Sequence, residues 1–146
     1  MEARASYSKD MRPQVSTLAG QQLRILVVDD DDAFRGMLKE VLESSGHSVT
    51  TAPSGIKALE FYGQHKNEID VVLLDYYMPE MDGGQTFEWM RRMKPTIKVI
   101  IVSGADTLQL RQIHAKHAIN GYLRKPLLLQ ELEHVIRKVS SSSAPV

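Results

Sequence analysis

The sequence contains no cysteine, which excludes disulfides, thiolate metal sites and a cysteine nucleophile. It also lacks a net charge, with 18 Lys and Arg balancing 18 Asp and Glu. The basic footprint that direct nucleic-acid binding ordinarily requires is therefore missing. No apolar stretch approaches the ~18–20 residues of a membrane span, and the first residues lack the apolar segment of a signal peptide. No internal repeat is present. The expectation left by these absences is a cytoplasmic protein that binds neither nucleic acid nor membrane. Its 146 residues support one domain with a sizeable core.

What is present is a set of short apolar runs with chemistry at their ends. Ile25 to Val28 leads into Asp29-Asp30, and Val71 to Leu74 leads into Asp75. Val99 to Val102 leads into Ser103-Gly104, and a weaker run from Ile119 to Leu123 leads to Lys125-Pro126. Continuous β-branched and Leu runs of this length predict strands buried on both faces of a parallel sheet. In an open α/β sheet the ligand site lies beyond the carboxyl ends of the strands. Three carboxylates, a hydroxyl and an ammonium are thus expected on one edge.

Helical patterns alternate with the runs. Phe34, Met37, Leu38, Val41 and Leu42 follow the spacing of one helix face, with Asp31 or Asp32 as its cap and Gly46 as a left-handed stop. His47 to Ala52 predicts a half-exposed edge strand. Ser54 caps a helix whose apolar side is Ile56, Leu59 and Tyr62. A third helix is expected from about Gln85 to Met93 with Phe87 and Met90 inward, and a weakly amphipathic one from Leu108 to Lys116. Leu128, Leu132, Val135, Ile136 and Val139 form the stripe of the last. Five β units, each followed by a helix, predict a doubly wound, mostly parallel α/β sandwich with right-handed crossovers. Residues 1–22 and 140–146 are polar, Pro-, Gly- or Ser-bearing segments, expected as a flexible leader and tail around a domain spanning 23–139.

Three carboxylates brought together repel. Without a cation at least one has its pKa raised, and the set titrates as a coupled group. A hard divalent ion relieves the repulsion, and Mg²⁺ favours oxygen ligands with retained waters and a phosphate. Asp30 and Asp75 are the first choices as direct ligands, Asp29 acts through a metal-bound water, and the backbone carbonyl of Tyr77 completes the set. A carboxylate needs no base to attack phosphorus. It needs charge neutralisation and in-line positioning, which Lys125 and the Ser103 hydroxyl would help to provide. Gly104 would leave room beside the phosphate, and Pro126 permits a cis peptide after Lys125. The five histidines show no metal-binding spacing; His114 and His117 could share a helix face, but no third ligand converges on them. Arg91-Arg92 is expected as a solvated helix face, and Tyr76, Tyr77 and Trp89 as either a partner-facing patch or packed residues.

Four segments, Val28-Asp29-Asp30, Leu74 to Gly83, Val102-Ser103-Gly104 and Tyr122 to Pro126, together resemble the receiver domain of two-component response regulators. The resemblance runs from about Leu23 to Val139. It implies a flavodoxin-like five-stranded parallel sheet of order 2-1-3-4-5, with helices on both faces. It further implies Asp75 as phosphoacceptor, Asp29 and Asp30 as the acidic pair holding Mg²⁺, Lys125 as the phosphate-pairing lysine, Ser103 as the switch hydroxyl and Tyr122 as the switch aromatic. A histidine kinase or histidine phosphotransfer protein would donate the phosphoryl group. The face of the fourth helix, fifth strand and fifth helix would then be remodelled, and a phosphorylation-dependent homodimer is compatible with this. Asp32 stands where many receivers carry proline, and the fourth-helix region is atypical. Two rivals stand beside the receiver reading: an Asp-nucleophile phosphatase or phosphotransferase, and a receiver-shaped interaction module that is never phosphorylated. The first wants a second acid two residues after the nucleophile, where Tyr77 stands. The chain is read as a stand-alone relay protein or a piece of a longer regulator or hybrid kinase.

Overall fold

In the computed structural model, which describes residues 22–142, each apolar run is a strand and its residues alternate between two cores. Strands β1 (Arg24–Val28), β2 (Ser48–Ala52), β3 (Val71–Leu74), β4 (Val99–Ser103) and β5 (Gly121–Arg124) form one sheet of order β2-β1-β3-β4-β5, with every pairing parallel. Successive side chains on a strand point to opposite faces. Leu26, Val28, Val72, Leu74, Val99 and Ile101 enter one core, and Ile25, Val27, Val71, Leu73, Ile100 and Val102 the other. Both faces being dry, the strands read as unbroken apolar runs.

Five helices cover the faces: α1 (Asp32–Ser44), α2 (Gly55–His65), α3 (Gly83–Met93), α4 (Thr107–His117) and α5 (Leu129–Ser141). Helices α2, α3 and α4 supply Ala58, Tyr62, Phe87, Met90, Leu110 and Ile113 to the first core. Helices α1 and α5 supply Leu38, Leu42, Leu132, Ile136 and Val139 to the second. Asp31 caps α1 through its side chain, and Ser54 caps α2. Gly46 takes the expected positive φ of 96° after α1.

Several expectations shift. Leu128 is 68% exposed because it is the N-cap residue of α5 and not part of its inner stripe. Ile56 and Met37 also face solvent; α2 instead buries Gly55, Ala58 and Tyr62. Helix α3 begins at Gly83, two residues before the expected start, since Asp82 and Gln85 close a reciprocal capping box there. Helix α5 continues to Ser141, past the expected start of the tail. A 3-10 turn at Lys66–Glu68, unanticipated from the pattern, joins α2 to β3. The expected leader up to residue 21 and the tail from 143 lie outside the described residues.

Candidate phosphoryl-transfer site

The sheet order delivers the site. Central strands β1 and β3 are neighbours with Val28 opposite Leu74, so Asp29-Asp30 and Asp75 emerge side by side. The ladder holds them there: Asp75 N–H donates to the Val28 carbonyl at 2.9 Å, and Asp29 N–H to the Ala52 carbonyl at 3.2 Å. One carboxylate oxygen from each of Asp29, Asp30 and Asp75 lies within 4.8 Å of the others. Asp29 and Asp75 are buried, at 2% and 7% exposure, and Asp30 is exposed. This donor set, oxygen only and open on the Asp30 side, fits a hard divalent cation with retained waters.

Lys125 directly follows β5, two strands from β3. Its N–H donates to the Ser103 carbonyl at 2.9 Å, and the Lys125–Pro126 peptide is cis. Its Nζ lies 2.8 Å from Asp29 Oδ2 and 3.8 Å from Asp75 Oδ2. The ammonium thus ties both buried carboxylates together. Ser103 is fully buried at the end of β4, its Oγ accepting from Ala105 N–H at 3.3 Å. A Cβ on Gly104 would meet nothing within 4 Å, so no crowding within the described residues demands glycine there. Tyr122 is half-buried against the first core and meets the His114 ring edge-on, with centroids 5.7 Å apart.

Burial, then the Asp29 charge, pushes the Asp75 carboxyl up to about 6; Lys125 pulls it back and Asp30 adds to the rise. The raised carboxyl expected of a crowded acidic set is therefore the central one. It remains largely ionised above pH 7, and so available as a nucleophile.

Some contributors carry no local signal in the sequence. Phe34 lies under the Lys125 ammonium, 4.1 Å from ring centroid to Nζ, a cation–π contact that restrains the lysine. Arg35 Nη1 donates to the Asp29 carbonyl at 2.7 Å and Nη2 to Asp32 at 2.6 Å. Gly83 closes the loop after Asp75: its N–H donates to Tyr76 O at 2.7 Å, and a Cβ there would stand 2.4 Å from the Asp75 carbonyl oxygen. In the sequence, the doublet Gly83-Gly84 is the signal that could mark that close approach. Tyr77 and Trp89 are exposed. The two histidines of α4 part ways, His114 to Tyr122 and His117 to Glu88 on α3. Arg91, expected in solvent, is engaged with Glu88 and His117.

A parallel 2-1-3-4-5 sheet with an acidic cluster and a lysine at its carboxyl edge defines the class of receiver-like α/β signalling domains. The chain belongs to the response regulator receiver domain family, whose sequence model matches residues 25–137. It is 35% identical to the sensor kinase CckA of Brucella abortus over 90% of its own length and 14% of that protein's. It is 32% identical to the response regulator MprA of Mycobacterium sp. (strain KMS), over 84% of this chain and 53% of that one. The chain thus spans about half or less of these curated relatives. Among solved structures, a receiver domain protein from Clostridium thermocellum is similar with a TM-score of 0.76 and 32% identity, covering 81% of this chain and 94% of that one. The CheX–CheY–BeF3–Mg complex from Borrelia burgdorferi gives a TM-score of 0.79 at 25% identity, covering 90% of this chain and 98% of that one. Among the described residues no helix is long and apolar enough to cross a membrane.

Proposed function

We propose that this receiver domain, working in the cytoplasm, accepts a phosphoryl group on Asp75 from the phosphohistidine of a histidine kinase or histidine phosphotransfer protein, with Mg²⁺. The observation that carries the reading is the grouping of Asp29, Asp30 and Asp75 within 4.8 Å under one ammonium, Lys125. Likeness to part of a sensor kinase and to a response regulator supports a relay role. Asp29, Asp30 and Asp75, with the Tyr77 carbonyl, would hold Mg²⁺, which supplies positive charge to the phosphoryl oxygens when bound. An ionised Asp75 oxygen attacks phosphorus, the donor's P–N bond breaks, and the imidazole nitrogen leaves with the bonding pair. Lys125 turns from Asp29 toward the new phosphoryl oxygens, and the Ser103 hydroxyl donates to them. Tyr122 follows into the space that Ser103 vacates, so the face of α4, β5 and α5 repacks. The phosphoryl group shifts that balance only through contacts it makes better in one packing.

In this reading the domain signals and does not turn over a substrate. A phosphatase of the Asp-nucleophile type would want an acid where the exposed Tyr77 stands. The test is incubation with acetyl phosphate and Mg²⁺. An acid-labile adduct is expected on the wild type and none on Asp75→Asn; an adduct that persists in that variant defeats the assignment. Lys125→Ala is expected to keep Mg²⁺ binding yet lose the surface response to beryllofluoride. An undiminished response would remove the lysine from its role.

A further inference from the structure

Helix α4 is held very unevenly. Its N-terminal turn leaves Leu108 at 63% exposure and is anchored through Leu110 alone, and its capping box, Asp106 with Gln109, is internal to the helix. Its C-terminal turn is fastened to α3 by a three-residue cluster. Arg91 Nη1 donates to the His117 carbonyl at 3.0 Å, and Nη2 to Glu88 Oε1 at 2.7 Å. Glu88 Oε2 lies 2.9 Å from His117 Nδ1. Arg91 thereby satisfies one of the carbonyls that a helix end leaves without an intrahelical partner, and its guanidinium lies over Phe87, 4.8 Å from the ring centroid. Hydrogen bonds from His117 and Arg91 hold the Glu88 carboxyl below its usual range.

The His117 ring is buried, and its Nε2 has no hydrogen-bond partner among the described residues. It fits only because residue 84 is glycine: a Cβ there would stand 2.6 Å from Nε2. The same ring is tilted against Tyr76, centroids 6.1 Å apart, and Tyr76 directly follows Asp75. The cluster therefore joins α4 both to α3 and to the first residue after the phosphoacceptor.

We propose that Glu88 and Arg91 are positioning residues that clamp α4 in its unphosphorylated packing and so set the cost of switching. The inference rests on the Asp75 reading above. Bonds of 2.7–3.0 Å leave hydrogen-bonding range when one helix end shifts by about 1 Å. Any displacement of α4 that carries its C-terminal turn must stretch them. What resists the switch also weakens whatever ligand drives it, since the coupling is reciprocal. The clamp thus lowers the affinity of the site for a phosphoryl group or its mimic, though it touches neither.

The test titrates beryllofluoride with Mg²⁺ into wild type, Glu88→Ala, Arg91→Gln and the double variant, followed by fluorescence of Trp89, the single tryptophan. Each single variant is expected to bind the mimic about three- to tenfold more tightly, from the loss of one or two hydrogen bonds. The double variant should gain no more than a single one, because both residues serve one clamp. Unchanged or weaker mimic affinity, with only a lower melting temperature, overturns the proposal and leaves the cluster a structural contact. Glu88→Gln, which keeps the side-chain volume, replaces Glu88→Ala if that variant does not fold. A wild type that fails to bind the mimic while folded and Mg²⁺-loaded overturns the Asp75 reading itself, and the clamp with it.

Discussion

Helices α3 and α4 are the same length, 11 residues each, and start with the same device, an Asp N-cap and a Gln at the third position. Beyond that they differ. Helix α3 buries Gly83, Gly84, Thr86, Phe87 and Met90, whereas α4 buries only Leu110, Ile113 and His117. Local sequence decides where each helix begins; tertiary burial decides how firmly it is held. A helix with a sound cap and few buried side chains can move as a unit without unravelling. That combination is what the repacking proposed for α4 would require.

The largest effect that would sharpen this contrast comes from core truncation. Phe87→Ala in α3 should cost about 3–5 kcal/mol in chemical denaturation, while Leu108→Ala in α4 should stay within about 0.5 kcal/mol. Comparable losses would erase the distinction between a fixed helix and a loosely held one.

Next comes the strand end that α3 abuts. Asp75 has its carboxyl raised from 3.8 to about 6, so the folded protein binds that proton more tightly than the unfolded chain. In Mg²⁺-free buffer its ionisation therefore opposes folding in full above pH 6, and the penalty fades as pH falls from 6 toward 4. Asp75→Asn should stabilise the Mg²⁺-free protein at pH 7.5 by on the order of 1–3 kcal/mol, and the gain should shrink at pH 4.5. A gain that does not depend on pH would mean that burial and the Asp29 charge do not set the titration. Asp70, Glu88 and Glu133, all shifted downward, act in the opposite sense, which is why the difference between the two proteins is the quantity to follow.

The smallest effect tests the shared device. Asp82→Ala and Asp106→Ala should each cost about 1 kcal/mol, the ordinary worth of an N-cap. If the cap of α4 matters far more than that of α3, the helix depends on its local signal more than its packing suggests.

The strands and their end residues were legible in the sequence because a run buried on both faces has an unmistakable composition, and the chain direction alone brings all parallel carboxyl ends to one edge. Helix faces were less legible. Leu128 completes a convincing stripe in the sequence, yet as the N-cap of α5 it lies outside the helical period. Ile56 fails for a different reason: it lies within α2, which turns Gly55, Ala58 and Tyr62 inward instead. At the site, Asp29, Asp30, Asp75 and Lys125 come together, but Phe34 and Arg35 were invisible, since what they support depends on the chain reaching Lys125 and on α1 doubling back over Asp29. The contacts of Arg91, expected in solvent, escape the sequence for a related reason. Arg91 looks like any arginine on a polar helix face, and its contact on α4, the His117 carbonyl, is 26 residues away.

The bond from Gly83 N–H to Tyr76 O makes the segment between Asp75 and α3 a closed ring, shut at its base so tightly that an added Cβ on Gly83 would stand 2.4 Å from the Asp75 carbonyl oxygen. Its outer rim carries Pro79 and Glu80, both exposed, with Glu80 at φ 71°. A bond from Met81 N–H to the Pro79 carbonyl, 2.7 Å, tightens that rim into a turn. Residues inserted between Pro79 and Glu80 would open that turn and leave the bond at the base as the loop's tie to the strand end. The base of the ring has no such latitude: any side chain at position 83 would pry the loop off the strand.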